Sequence, residues 1–285
     1  MVELLMLISL AHGASLSDET VRVKNIQGQA LAVVSTAPVS IRSGLDMAAG
    51  NISGGSVVHK FGQNPGCSTT EEDVWAVGGT MSFSTSAAAI RIRSGGNAND
   101  TAAGTGAQSV IVFGLDSNFT EISNVLTTNG ASASTQSTGT FRRVYRAYVY
   151  EAGTYGGNNT GNVVIESTDT ANAHLSILAG IGQSQTTHFT IPSGKTGYLV
   201  RLTANVASTK PTTIKMYRRE SADDYSTPFS AKRIITQADE LSGYLNFPFD
   251  APVKLPAKTD VWSTCKAETG TSLASVEYNL MLVSQ

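Results

Sequence analysis

The polar and apolar positions of the chain fall into two regimes. Residues 1–57 keep no steady period: "LLMLISL" is apolar, "SLSDETVRVK" is polar and then alternates, and "QALAVVSTAPVSI" is small and apolar. From about residue 58 onward, short runs with strand character follow one another. "TSAAAIRIRSG" alternates at Ile90, Arg91, Ile92 and Arg93; "QSVIVFGLD" is an apolar run closed by Gly114 and Asp116; "FRRVYRAYVY" is aromatic and β-branched; "GNVVIEST" follows the turn-rich "TYGGNNTG". A second series starts near 174 with "AHLSILAGIG", "QTTHFTI", "GYLVRLTANV", "TTIKMYRRE", "FSAKRIIT", "DVWSTCKA" and "SLASVEYNLMLV". Short runs separated by turn residues every 8–12 positions or so predict a sandwich or barrel. No helix-length amphipathic segment intervenes, so the crossover helices of a parallel sheet have no place. The expected fold is all-β: two consecutive antiparallel β-sandwich, jelly-roll-like domains at 58–172 and 173–285, preceded by an N-terminal arm at 1–57.

Composition supports this division and narrows the function. The chain has 285 residues, 41% hydrophobic, enough for packed cores. Only 15% are charged, while 27 are glycine, a balance that favours strands and turns over long wet-faced helices. A net charge of −2 exerts no general pull toward nucleic acid or an anionic membrane. The N-terminal "MVELLMLISLAHGAS" carries Glu3 where a signal peptide needs Lys or Arg, and its apolar run is too short to span a bilayer. It reads as an arm that docks on a neighbouring chain through Leu4, Leu5, Leu7 and Ile8. Cys67 and Cys265 are two lone cysteines, read as buried small hydrophobes, with a single bridge as the alternative.

The chemical motifs are weak one by one. "IPSGKTGYLV" ends like a phosphate-binding loop, but Phe189 stands where the first glycine belongs. A strand-like run also follows where a helix N-terminus is needed. The segment reads as a tight turn, with Gly194 supplying positive φ. "GTGAQS" lacks the third glycine of a dinucleotide fingerprint, with Ser109 in its place. "DSNFTE" from Asp116 starts like a calcium loop and lacks its glycine and distal glutamate. His12, His59, His174 and His188 have no metal-motif spacing, and no GxSxG is present. The expectation is no catalytic residue, no cofactor and no metal. In "FRRVYRAYVY", Arg142, Arg143 and Arg146 alternate with aromatics. Such a mixture suits stacking of single-stranded nucleic acid, but intersubunit ion pairs from a half-buried strand are the favoured reading.

Several segments, taken in order, carry a resemblance: "VVHKFGQNPG", "EEDVWAVGGTMSF", "NANDTAAGTGAQSVIVFGLDSNFTEIS", "FRRVYRAYV", "GQSQTTHFTIPSGKTGYLV" and "PFSAKRI". In these the chain resembles a group of virion structural proteins, mostly uncharacterised, from tailed and mostly marine bacteriophages. The first fifty residues or so do not match the group's shorter N-termini. The resemblance implies a non-enzymatic structural role in the phage particle, made in the host cytoplasm and carried on the virion. An accessory or decoration (cement) protein on the capsid is the expected form. Its partners would be itself, as a trimer or other symmetric oligomer, and virion proteins such as the major capsid or tail proteins, without nucleic acid or membrane. The alternatives are a neck, tail or fibre-anchoring component, or a receptor- or glycan-binding module with Trp75, Trp262 and Tyr225 lining a groove.

Overall fold

A computed structural model describes residues 43–95, 98–169 and 172–285. A short helix, α1 (Ser43–Ala48), precedes β1 (Gly55–Cys67) and β2 (Glu72–Asp73). Seven strands follow: β3 (Ala88–Arg93), β4 (Ala107–Leu115), β5 (Glu121–Thr127), β6 (Thr140–Phe141), β7 (Arg143–Ala152), β8 (Val163–Ser167) and β9 (Ala173–Ile177). The chain ends with β10 (Phe189–Thr190), β11 (Lys195–Val206), β12 (Thr212–Arg219), β13 (Arg233–Leu241), β14 (Tyr244–Leu255), β15 (Asp260–Ala267) and β16 (Ser272–Ser284). All pairings between these strands are antiparallel. No helix among the described residues is long and apolar enough to cross a membrane.

Eight strands form a nested set. β1 pairs with β16, β10 with β15, β11 with β14, and β12 with β13. Cross-pairs β11–β16 and β12–β15 gather them into two sheets, β1-β16-β11-β14 and β10-β15-β12-β13, with β2 added beside β15. Outer pairs wrapped around inner pairs in this way make a jelly roll. The period-2 pattern of β16 shows how the core forms. Ala274, Val276, Tyr278, Leu280 and Leu282 turn inward, while Ser275, Glu277, Asn279 and Met281 face outward. Cys67 at the end of β1 and Cys265 in β15 form a disulfide across the two sheets, with 6.2 Å between their Cα atoms. Both are fully buried, so the bridge sits inside the core where unpaired thiols were expected.

The other seven strands form a second sandwich, with sheets β6-β3-β8-β9 and β5-β4-β7. Its separate core is built on Ile90, Ile92, Val110, Val112, Ile165 and Ile177 with their neighbours. On the outer side of β3, Arg91 and Arg93 both reach Glu166 of β8, at 2.6 and 2.8 Å.

The strand pairing departs from the expected boundaries of 58–172 and 173–285. β1 and β2, expected in the first sandwich, pair with β16 and β15 of the second. β9, expected to open the second, pairs with β8 of the first. The two sandwiches are therefore nested rather than consecutive: β3–β9 are inserted between β2 and β10 of the jelly roll. The physical reason is that a jelly roll must close its first strand against its last, which draws the N-terminal strand out of its sequence neighbourhood. The turn at Pro192-Ser193-Gly194 is as expected: Gly194 has φ of 72°, Lys195 N–H returns to Pro192 O, and β11 follows.

Candidate functional site

Among the described residues, polar or exposed apolar groups gather at a seam between the sandwiches, in a polar network beside β15 and at edges of the jelly roll, among other places. At the seam, Asp260 opens β15 and is fully buried. Its Oδ1 accepts from Arg143 Nε at 3.1 Å and from Thr190 Oγ1 at 2.6 Å. Its Oδ2 accepts from Arg143 Nη2 at 3.2 Å and from Arg219 Nη2 at 2.6 Å. The Arg143 guanidinium donates further to Ser84 O and lies over the rings of Phe83 and Phe119, 5.1 and 5.5 Å from their centroids. Burial works against its charge, but the Asp260 carboxylate outweighs this and raises its pKa above the ordinary arginine value. Such a planar fork, satisfied on several sides, is the arrangement that makes a buried ion pair tolerable.

Two of the three arginines expected to reach another subunit, Arg142 and Arg143, make side-chain contacts within the chain. Arg143 is buried against Asp260. Arg142 donates to the Tyr225 hydroxyl at 3.1 Å and lies 4.4 Å from that ring's centroid. Arg146 stays exposed and donates to the His59 carbonyl of β1. Every second residue of a strand shares a face, and the face that carries Arg143 and Tyr145 meets the jelly roll of the same chain. Leu4, Leu5, Leu7 and Ile8 lie outside the described residues.

Beside β15, Thr186, His188 and Asp73 stand in the order hydroxyl, imidazole, carboxylate. Thr186 Oγ1 is 2.9 Å from His188 Nδ1, and His188 Nε2 is 3.2 Å from Asp73 Oδ2. All three are buried, and Asp73 Oδ2 also accepts the Met81 N–H at 2.7 Å. A nucleophile must meet its substrate, and this hydroxyl meets only protein. A cleft of about 510 Å³ lies nearby, lined by Glu71, Asp73, Arg219, Lys232, Trp262 and Thr264 among others. Its acids are already engaged: Glu71 accepts from Lys215 at 2.7 Å and from the Tyr217 hydroxyl at 3.0 Å. Among the described residues no His, Cys, Asp or Glu side chains gather as a metal-binding group. The calcium-like "DSNFTE" is an Asx-type turn between β4 and β5, with Asp116 Oδ1 accepting from Asn118 N and Thr120 N at 2.8 and 2.9 Å.

The aromatics expected to line a sugar groove also pack within the chain, and of them Trp262 reaches the 510 Å³ cleft. Trp75 is buried and donates to Gly78 O at 2.7 Å. Trp262 is buried against Tyr217 and Phe83, and Tyr225 serves Arg142.

What sequence reasoning missed is the free edge. β13 pairs only with β12 and β14 only with β11, so each ends its sheet. These strands expose Ile234 (51%), Tyr244 (62%) and Phe247 (40%), and Phe229 beside them is exposed as well. A signal existed: Pro248 and Pro252 in "YLNFPFDAPVKL" cannot donate to a ladder and are confined to edges.

Neither a family model nor a curated protein matches the chain. Among solved structures, that of infectious bursal disease virus Gx strain is similar over 81% of this chain and 72% of its own, at 7% identity and a TM-score of 0.26. The VP2 subviral particle of the same virus is similar over 82% of this chain and 73% of its own, at 8% identity and a TM-score of 0.21. Likeness this slight establishes no common function.

Proposed function

We propose that the chain is a non-enzymatic structural protein of a tailed-phage virion, an accessory (cement) subunit on the capsid surface that assembles as a symmetric oligomer. The observation that carries this reading is that two of the jelly roll's edge strands, β13 and β14, carry exposed apolar side chains. A long edge strand with apolar groups is a template for pairing with another chain unless something covers it, and a second copy in closed symmetry covers it without leaving a new edge. The ordered segments that resemble phage virion proteins point the same way. The test is quantitative mass spectrometry of purified particles of the phage that encodes the chain. Copies comparable in number with the major capsid protein are expected. A small ring's worth would move the protein to the neck, tail or fibre anchor. Absence from the particle would overturn the reading.

A further inference from the structure

We infer that the inserted sandwich carries a binding groove for a neutral glycan, beside the free end of β7. The groove is shallow and open, with a volume of about 610 Å³ between the end of β7, the loop that follows it, and the segment after β9. Its side walls present Tyr148, Tyr150, Tyr155, Asn158, Ile181 and Gln183, and no charged side chain lines it. Tyr155 is fully exposed and Tyr150 is 56% exposed. The hydroxyls of the three tyrosines and the Gln183 amide make no hydrogen bond to described residues.

The backbone of the groove is preformed. Val149 N–H donates to Gly182 O at 2.8 Å, and Ala147 N–H donates to Ser184 Oγ at 2.9 Å, so this segment is tied to β7 around a single bridge between Tyr148 and Gln183. Asn158 Nδ2 holds Gly180 O at 2.8 Å. Gly182 has φ of 76°, and a Cβ there would fall 2.5 Å from Asn158 Oδ1. The far loop is closed by Gly157 N–H to Thr154 O at 2.7 Å and by Thr154 Oγ1 to Thr105 O at 2.9 Å. A fixed backbone lowers part of the ordering cost of binding.

The chemistry selects the ligand. A pyranose has apolar C–H faces and a rim of hydroxyls, so it needs flat aromatic surfaces beside uncharged donors and acceptors. Tyrosine supplies both on a stiff side chain. Acidic sugars and phosphates would want a cation, and none lines this groove. The volume suits a few sugar rings. The inference holds whether or not the chain rides on a particle.

The test titrates the full chain with maltohexaose, cellohexaose, laminarihexaose, mannohexaose and chitohexaose, with hexagalacturonate as the acidic control, followed by saturation-transfer NMR and tyrosine fluorescence. At least one neutral hexasaccharide is expected to bind. Tyr155→Ala and Tyr150→Ala should each weaken it by about tenfold or more with unchanged melting temperature, and Gln183→Ala should weaken it less. Binding of no neutral hexasaccharide, binding of hexagalacturonate alone, or affinity that survives both tyrosine substitutions would overturn the inference.

Discussion

At the residue scale the most informative side chain is Lys60. It lies in β1 on the core-facing side, is buried, and makes no ion pair among the described residues. Its position follows from an irregularity in β7. Phe113 pairs with Arg146 and Gly114 with Val144, so Tyr145 is an extra residue at a bulge, and its carbonyl accepts a side-chain hydrogen bond. Lys60 Nζ donates to that carbonyl at 2.5 Å. Burial, and then the nearby charge of Arg146, hold the Lys60 pKa well below 10.5. The unfolded chain then binds a proton that the folded chain does not, over the window between the depressed value and 10.5. In that window stability rises with pH, and the penalty of the buried amine is fully present below it. Urea unfolding of the wild type and Lys60→Met across alkaline pH checks this. The difference should move in favour of the wild type as pH approaches 10.5, with a slope of at most about 1.4 kcal/mol per pH unit. Parallel curves would show that the amine keeps its ordinary pKa.

At the element scale the free edges decide how copies meet. Ile234 and Tyr244 contribute little to the monomer, because surface changes away from packed groups stay within about 0.5 kcal/mol. They should matter to assembly instead. Ile234→Lys with Tyr244→Lys should shift the molar mass by light scattering toward the monomer while the melting temperature holds. A wild type that is already monomeric at high concentration would deny these strands that role. The same elements show what the sequence displays and what it hides. Alternation in "AIRIR" and in "GYLVRLTANV" marks β3 and β11 plainly, since each has one buried face. The segment "YLNFPFDAPVKL" hides β14, because its prolines look like turns and its outer face carries Tyr244 and Phe247, which blurs the alternation of Leu245, Phe249 and Val253 against the core. Arg143 shows the limit for sites: an arginine on a half-buried strand looks the same whether its carboxylate lies in a partner or 117 positions further along the chain.

At the scale of the whole molecule, the nesting of one sandwich within the other is the feature local pattern does not encode. Nothing around "VVHKFGQNPG" says that it will pair with "SLASVEYNLMLV" more than 200 positions away. That choice is made by core closure. The disulfide secures the same closure, since Cys67 and Cys265 are 198 positions apart and constrain a very large loop of the unfolded chain. How firmly the insert is held then rests on the seam. Asp260 answers two guanidinium groups, so Asp260→Ala leaves both without their carboxylate and should cost about 3–5 kcal/mol of stability in denaturant unfolding. Arg143→Met differs in kind. Asp260 keeps Arg219 and Thr190, so the jelly roll's own network survives, while the insert loses its charged hold on β15. Hydrogen exchange should therefore quicken selectively in β7 and β4, with β11 and β16 staying protected, because local opening follows the contacts that are lost. Equal quickening in both sandwiches would mean that they open as one unit. No change in either would mean that the apolar contacts of Tyr145 with the jelly-roll core, together with Lys60, hold the insert without Arg143.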